Sequence, residues 1–334
     1  MHWDVAGIGN ALMDALVVIE DDGLIEELGL TRGTMHPVDH DRWDEVYQRV
    51  RTLNPEFHSG GSCANSIATA GRLGSKALYR GQVGDDQLGH LYASLLEKSC
   101  GGHALRFDKA LSTGKCLSLI SARDRERTML TDLGAAVHLP ELGGFSAELQ
   151  RTKVAHFTGY TLLDGPTLPV VLEAMGIAKA GGAQVSLDAA DPFVTSMIPD
   201  RFREVMAEHV DIAFLNEDES KAISGLTDPE ESARKMAADA GLRTVCVKLG
   251  SRGSVVLHEG DLVQIPVYPV EAKDTTGAGD AYAGAFLHGI THGWDAERAG
   301  KLASAVAALT VSQVGAVVED QERLQSVLRD LAPA

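Results

Sequence analysis

Short apolar runs that end at a glycine or a polar residue alternate along this chain with stretches of helical periodicity. The runs lie at residues 5–9, 76–84, 154–159, 183–188, 211–216 and 244–250, and the helical stretches at 64–73, 86–98, 167–180 and 230–240. Strands that alternate with helices are joined by right-handed crossovers, which favours a mainly parallel sheet with helices on both faces. The sequence therefore predicts a three-layer α/β/α core, with ligands at the carboxyl ends of its strands.

Two regions interrupt this alternation. Residues 15–38 and 106–133 contain short β-like stretches, such as KCLSLISA and RTMLTDL, separated by charged turns. They predict a small β-strand lid over the active edge of the sheet, formed by about 13–38 and 104–133, with ordinary surface hairpins as the alternative. Residues 278–331 are mainly helical in pattern, and we expect 1–334 to form a single catalytic domain.

The composition argues against several classes of partner and site. The chain has 334 residues and a formal net charge of −17, which disfavours a nucleic-acid or anionic-membrane surface. No apolar run reaches the roughly 18 residues of a membrane span, and the N-terminus lacks the basic region and cleavage site of a signal peptide. Four scattered cysteines without a C-x-x-C pair fit a reduced compartment. We expect a cytoplasmic protein.

The run DTTGAGDAYAGAF, residues 274–286, carries the strongest chemical signal. Gly277, Ala278 and Gly279 precede Asp280, and an amphipathic helical pattern follows. A helix N-terminus offers unpaired N–H groups and a positive dipole end to an anion, and glycines let a ligand approach the backbone. Asp280 would stand there as a general base for phosphoryl transfer. The alternative is a glycine-rich helix cap whose Asp280 only complements the dipole.

A second glycine cluster lies in HSGGSCANSIATAGRLG, residues 58–74. Gly60 and Gly61 leave room for a ligand against bare backbone. Ser62 is placed to cap the following helix, and Asn65 faces back one turn later. A plain strand–Gly–Gly–helix junction is the alternative.

The segment GIGNALMD supplies Asn10 and Asp14, an amide and a carboxylate that together can bind a vicinal diol. It does not match a dinucleotide-binding fingerprint, because Leu12 stands where the third glycine is required. A nicotinamide oxidoreductase is therefore disfavoured.

Two later segments follow predicted strands. NEDE, residues 216–219, is a capping box with Asn216 as N-cap and Glu219 at the third helical position. VKLGSRGSVV, residues 247–256, predicts a β-hairpin that carries Lys248, Gly250 and Gly253.

Two other motifs are incomplete. The histidine pairs at i, i+4 spacing have no clear third ligand, so we do not expect zinc at His36/His40 or His288/His292. A Walker-type phosphate loop is disfavoured because Lys109 replaces its first glycine and Cys116 its Ser/Thr.

Taken together and in order, GIGN, GGSCAN, FTG, NEDE, LGSRGS, DTTGAGD and VGA resemble the ribokinase (PfkB) family of carbohydrate and nucleoside kinases nearly from end to end. The resemblance implies a Rossmann-like core with a β lid, and ATP-dependent phosphorylation of a primary hydroxyl. The segment 7–30, TGKC at 113–116 and RTMLTDLGAA from Arg127 are similar to the adenosine-kinase branch. A PfkB-type sugar kinase acting on ribose, fructose or 2-keto-3-deoxygluconate is the alternative.

The resemblance also implies roles for residues. Asp280 would be the base, and the backbone of Gly277, Ala278 and Gly279 would stabilise the phosphoryl charge. The acceptor-binding residues that it implies are Asn10, Asp14, Gly60, Gly61, Ser62, Asn65, Cys116 and Met129. The ATP-binding residues that it implies are Asn216, Lys248, Gly250, Gly253, Thr275, Gly277, Gly279 and Gly315.

Cations and the lid complete these expectations. Asn216 and Glu219 would organise Mg²⁺ through water, and carbonyls of Asp274 and Thr276 could hold a monovalent cation such as K⁺.

Arg127 matches an arginine that approaches the transferred phosphate in adenosine kinases; a solvated lid charge is the alternative. Lids in this family pair between subunits or act in a monomer, so either state is open.

The chain differs from adenosine kinases beside the expected base pocket. Adenosine kinases tend to have a second aromatic after the FTG-like strand, whereas here Tyr160 is followed by Thr161.

A catalytically silent nucleotide- or sugar-binding regulator on the same scaffold is a further alternative, although such a protein has no need of Asp280.

Overall fold

A computed structural model describes residues 2–100 and 102–331 of the chain. Its larger sheet, with strands numbered in chain order, consists of β1 (Trp3–Ile8), β5 (Ala77–Arg80), β10 (Thr152–Thr158), β11 (Gln184–Asp188), β12 (Ile212–Asn216), β13 (Thr244–Lys248), β14 (Ser254–His258) and β15 (Asp261–Ile265). The spatial order is β15-β14-β13-β12-β11-β10-β1-β5. The pairs from β5 to β13 are parallel, whereas the pairs that β14 makes are antiparallel.

A second sheet contains β2 (Leu12–Ile19), β3 (Met35–Pro37), β4 (Glu56–Gly60), β8 (Gly114–Ser121) and β9 (Arg127–Asp132), in the order β3-β9-β8-β2-β4. A separate pair joins β6 (Gln82–Gly84) to β7 (Arg106–Asp108). The second sheet thus takes two strands from residues 13–38 and two from 104–133. Its fifth strand, β4, lies outside both ranges.

The helices in the described residues are α1 (Gly23–Glu27), α2 (His40–Val50), α3 (Ser62–Arg72), α4 (Gln87–Cys100), α5 (Phe145–Leu149), α6 (Thr167–Ala180), α7 (Pro192–Met197), α8 (Pro199–His209), α9 (Glu217–Ser224), α10 (Pro229–Ala240), α11 (Ala278–Thr291), α12 (Ala296–Val311) and α13 (Gln321–Leu331). The helical prediction for residues 278–331 is confirmed by α11, α12 and α13. No described helix is long and apolar enough to cross a membrane.

Alternate residues of the large sheet enter two separate cores. Val5 of β1 packs with side chains of α3, α11 and α12 on one face, whereas its neighbour Ala6 packs with α5 and α6 on the other. The central strands are apolar on both sides for this reason. The predicted three-layer α/β/α arrangement with a mainly parallel sheet is confirmed.

One face of the second sheet is covered by the chain itself. Trp43, Val46 and Val50 of α2 are buried against Val17 of β2 and Leu119 of β8. The opposite face of this sheet is turned toward the carboxyl ends of the large sheet, because its Asp14 and Arg127 line a cavity with residues of the loops there.

The single strand predicted over residues 76–84 is wrong. The chain breaks at Gly81 into β5 and β6, which belong to different sheets. A Cβ atom on Gly81 would lie 2.9 Å from the Tyr79 ring and 3.1 Å from Ala11. The turn therefore needs a residue without a side chain. Apolar residues occur in the segments on both sides of Gly81, so the sequence pattern gave no sign that the strand ends there.

Candidate active site

The N-terminus of α11 lies in the middle of the site. Gly277 is its N-cap, with φ 73°, and a Cβ atom there would lie 2.6 Å from the carbonyl oxygen of Ala316. Glycine is therefore required both for the left-handed backbone and for the close approach. Ala278, Gly279 and Asp280 form the first turn, whose N–H groups have no helical partner of their own.

Asp280 is held by two side chains of α3. Ser62 Oγ donates to its Oδ1 over 2.6 Å, and Asn65 Nδ2 donates to its Oδ2 over 2.9 Å. Burial raises the pKa of Asp280 to about 6, although both hydrogen bonds oppose this rise. The carboxylate is thus fixed in position and titrates close to neutrality.

The expectation that Ser62 caps α3 is wrong. The N-cap is Gly61, with φ 99°, and no side chain caps this helix. A Cβ atom on Gly61 would lie 2.2 Å from the carbonyl oxygen of Asn10. Because Gly61 occupies the cap, Ser62 becomes the first helical residue and its hydroxyl is free to reach Asp280.

Asp14 and Cys116 share the face of the second sheet that is turned toward Asp280. They are register partners on β2 and β8, and Leu117 beside Cys116 points to the covered face. Met129 is on the same face as Cys116, because the next residue, Leu130, is in the covered core.

Burial raises the pKa of Asp14 to about 7; Arg127 opposes the rise and Asp280 adds to it. Gly60 makes room for this carboxylate, since a Cβ atom on Gly60 would lie 2.1 Å from Asp14 Oδ2. Two acids with raised pKa values therefore stand close to one another.

Two amide oxygens in this region are buried without a hydrogen-bond partner among the described residues. They are Oδ1 of Asn10, which follows β1, and Oδ1 of Asn65 on α3. A buried acceptor left without a donor costs about 1–3 kcal/mol. Both atoms are therefore available to a ligand that carries hydroxyl donors.

Arg127 joins the second sheet to the loop before α11. Its guanidinium donates to Asp274 Oδ2, and both side chains are largely buried. The same oxygen accepts the N–H of Gly315 over 3.0 Å, while Oδ1 accepts the N–H of Thr276 over 3.0 Å. Asp274 thus orders both loops through its side chain, and Thr275 lies between, exposed.

The capping box at the start of α9 forms as predicted. Asn216 Oδ1 accepts the N–H of Glu219 over 2.9 Å, and Glu219 Oε2 accepts the N–H of Asn216 over 2.7 Å. Burial raises the pKa of Glu219 to about 7, with Lys248 opposing the rise.

The predicted hairpin is formed by β13 and β14, with Gly250 and Gly253 in the turn between them. Lys248, the last residue of β13, makes a buried ion pair with Asp188 at the end of β11, Nζ to Oδ2 2.9 Å. A Cβ atom on Gly279 would lie 3.0 Å from Lys248 Nζ. The ammonium therefore lies beside the N-terminal turn of α11.

A cavity of about 320 Å³ lies between the second sheet, helices α3 and α4, and the loops that flank α11. Its lining includes Asp14 and Arg127 of the second sheet, Asn65 of α3, and Thr276 and Gly315 of the loops that flank α11. Asp14, Asn65 and Arg127 thus meet at one cavity, and the hydrogen bond of Asn65 connects this cavity to Asp280. The predicted ATP residues Asn216 and Lys248 lie at the ends of β12 and β13.

Comparison with known proteins identifies the family. Residues 35–322 match the pfkB family carbohydrate kinases. This chain belongs to the pfkB family.

Individual relatives agree with this family. The crystal structure of adenosine kinase from Sinorhizobium meliloti is 30% identical, covers 99% of this chain and 100% of that one, and has a TM-score of 0.86. A probable sugar kinase from Rhizobium etli CFN 42 is 29% identical over 99% of both chains, with a TM-score of 0.87. The probable fructokinase-2 of Arabidopsis thaliana is 28% identical over 277 residues, 81% of this chain and 77% of its own.

The pfkB-family chain is thus a kinase, a phosphotransferase with an alcohol group as acceptor, and its relatives use nucleosides or sugars. Kinases of this family use ATP. The alternatives of a silent binding protein and of a nicotinamide oxidoreductase are set aside by this membership.

Sequence reasoning missed Asp188 in this pfkB kinase, although an acid at the last position of a predicted strand was a usable signal. It also missed Asp191, whose carboxylate accepts the Tyr160 hydroxyl over 2.9 Å and the N–H of Phe193 over 2.7 Å. The helix cap of Asp191 had a signal in the Asp191-Pro192 pair, whereas its bond to Tyr160, 31 residues away, had none.

Proposed function

We propose that this enzyme transfers the γ-phosphoryl group of ATP to the primary hydroxyl of a nucleoside, with Asp280 as general base. The observation that carries the proposal is the Asp280 carboxylate, fixed by Ser62 and Asn65 at the N-terminus of α11. Its pKa of about 6 leaves it deprotonated at neutral pH yet basic enough to accept a proton.

In the proposed reaction the acceptor oxygen attacks the γ-phosphorus in line with the bond to the β-phosphate oxygen. That bond breaks, ADP leaves, and the proton of the hydroxyl passes to Asp280. The N–H groups of residues 277–280 face the oxygens on which charge develops, in the manner of an oxyanion hole.

The acceptor side favours a compound that carries hydroxyl groups. Asn10 Oδ1 and Asn65 Oδ1 are buried acceptors that need donors, and Asp14 stands nearby as a further acceptor. A vicinal diol supplies donors for these oxygens. We place Gly60, Gly61 and the face that carries Cys116 and Met129 around the same acceptor.

Mg²⁺ is the metal expected with ATP, and the residues present fit it when it is held through water. Among the residues that the structure describes, no three His, Cys, Asp or Glu side chains are grouped to ligate a metal directly. Mg²⁺ keeps several waters, so Glu219 with Asn216 would hold it from outside its water shell. When bound, the ion neutralises charge on the ATP phosphates.

The same proposal includes a monovalent cation bound at the loops that Asp274 orders. Carbonyls of Asp274 and Thr276 would be its ligands, and Gly315 belongs to the facing loop. Activity in K⁺ compared with a tetraalkylammonium salt of equal ionic strength tests this point.

A nucleoside is favoured over a free sugar by two aromatic residues at adjacent strand ends. Tyr160 follows β10 and Phe193 follows β11, and Asp191 binds both segments. Phe193 is 69% exposed, so its ring is available to stack on a base. The adenosine kinase of Sinorhizobium meliloti, similar over the whole chain, supports the same choice.

A free sugar is the second candidate, and one observation favours it. None of the described residues that line the cavity is Phe, Tyr or Trp, so the cavity itself offers no ring to a base. Arabidopsis fructokinase relatives are consistent with this candidate.

The test is ADP release from Mg²⁺-ATP with a panel of acceptors: adenosine, inosine, guanosine, cytidine, ribose, fructose and 2-keto-3-deoxygluconate. Turnover on a nucleoside and none on the free sugars is expected. Turnover on a sugar alone would replace the nucleoside while leaving the role of Asp280 intact. No acceptor-dependent ADP on any compound would contradict the proposal.

The composition supports a cytoplasmic enzyme. Because α2 covers the outer face of the second sheet, we favour a monomer over a dimer through the lid.

A further inference from the structure

We infer that Asp188 is a positioning residue that holds the ammonium of Lys248 against the phosphate-binding turn of α11. The inference rests on the proposed phosphoryl transfer and adds a residue to it. Asp188 does not touch the substrates in this account; it acts through Lys248.

The ion pair is largely buried. Lys248 Nζ donates to Asp188 Oδ2 over 2.9 Å and to Oδ1 over 3.2 Å, and the side chains of Asp188 and Lys248 are 2% and 16% exposed. A buried ion pair seldom stabilises a fold more than well-packed apolar residues would. Its presence at the carboxyl ends of β11 and β13 is therefore better explained by a function.

The backbone after Asp188 is strained in a way that serves this pair. Ala190 has φ 71°, a conformation that residues other than glycine rarely adopt, and its N–H donates to Asp188 Oδ1 over 2.9 Å. Strain of this kind persists where the surrounding structure requires it, commonly at functional sites. It fixes the carboxylate that receives Lys248.

The position of the Lys248 ammonium indicates the function of the ion pair. A Cβ atom on Gly279 would lie 3.0 Å from Lys248 Nζ, so the ammonium is in close contact with that turn. The N–H groups of the same turn bind anions. Lys248 therefore adds a full positive charge beside the partial charges of that turn.

Several charged or titratable groups surround the pair. They are His156 on β10, Cys246 on β13, Glu219 on α9 and Asp280 on α11. The carboxylate of Asp188 raises the pKa of Asp280, whereas Lys248 lowers it. A change at either residue thus also moves the titration of the base.

The experiment measures ATP and ADP affinity by calorimetry, together with kcat and the pH profile. It compares the wild type with Asp188→Asn, Lys248→Met and the double variant. A charged hydrogen bond of this kind corresponds to roughly 10- to 100-fold in affinity, so each single variant should bind ATP at least about tenfold more weakly. The double variant should be no weaker than Lys248→Met, because Asp188 acts through Lys248.

The double variant also guards against misfolding, since it leaves no buried unpaired charge. Lys248→Arg, which keeps the charge, should recover part of the affinity lost in Lys248→Met. Asp188→Asn should in addition move the acidic limb of kcat/KM to lower pH, because the carboxylate that raises the pKa of Asp280 is gone.

Additive losses in the double variant, or a lower melting temperature with unchanged ATP affinity, would overturn the inference. Because the affinities do not depend on turnover, they test it even if no acceptor in the panel is phosphorylated. Failure of the proposed function and failure of this inference are thus distinguishable.

Discussion

At the scale of single residues, Asp280 depends on the hydrogen bonds that it receives. Its pKa is raised by burial, and Ser62 and Asn65 restrain that rise. A general base acts in its deprotonated form, so activity should fall as pH drops through about 6.

Ser62→Ala tests this dependence. Loss of the hydroxyl removes a donor that stabilises the charged carboxylate, so the pKa of Asp280 should rise and the acidic limb of kcat/KM should move to higher pH. Ser66→Ala, one turn along α3, removes a hydroxyl that does not reach Asp280 and serves as the control. Identical pH profiles for the two variants would contradict the assignment.

At the scale of elements, the site depends on how closely α11 approaches α3. A Cβ atom on Gly284 of α11 would lie 2.3 Å from the carbonyl oxygen of Ser66. Since Ser62 and Asn65 are on α3 and Asp280 on α11, any separation of these helices lengthens the hydrogen bonds to the base.

Gly284→Ala should therefore lower both stability, by about 1–3 kcal/mol, and kcat. The matched variant is Gly176→Ala on α6, where no atom lies within 4 Å of a new Cβ and the residue is exposed. That change should be neutral or stabilise by about 0.5–1 kcal/mol. Urea unfolding and kcat measured on both variants check the pair; equal effects would contradict close packing as the cause.

The sequence predicted the regular elements well and the close contacts poorly. The boundaries of α6 match the predicted 167–180, because Pro166 stands just before the helix and Gly181 just after it. The break at Gly81 was missed, since a turn forced by the Tyr79 ring leaves no periodic signal. The strand β4 was considered only in the alternative of a strand–Gly–Gly–helix junction, since an edge strand of mixed burial has a weak period.

In the site, too, local features were predictable and long-range contacts were not. Asp280 was predicted from the glycine loop that precedes it. The role of Asp188 depends on Lys248, sixty residues further along the chain, and could not be predicted from local sequence. Ser62 was assigned to a cap because nothing in the sequence says that Gly61 adopts φ 99° against Asn10. Contacts between distant segments are set by the fold and cannot be taken from spacing alone.

At the scale of the whole molecule, the ion pair between Arg127 and Asp274 joins the second sheet to the loop before α11. Removing one member of a buried pair leaves the other unpaired and costs about 3 kcal/mol or more when burial is complete. This contact should therefore hold the second sheet in place over the cavity.

Arg127→Met should speed hydrogen exchange of the β9 amides and lower kcat. The control is Arg123→Met, in the turn before β9, where the arginine side chain is 70% exposed. Mass spectrometry after deuterium labelling compares the two variants with the wild type. Unchanged exchange in β9 of the Arg127 variant would contradict a closing role for the pair.

The most direct test of the account is Asp280→Asn, which keeps the shape of the side chain and removes its basicity. We predict that kcat falls at least about 10²-fold, as is typical when a general base is lost, while the dissociation constant for ATP stays nearly unchanged. Asp218→Asn on α9 is a control that alters charge without touching Asp280. A variant at Asp280 that keeps more than about a tenth of wild-type kcat would contradict the assignment of Asp280 as the base.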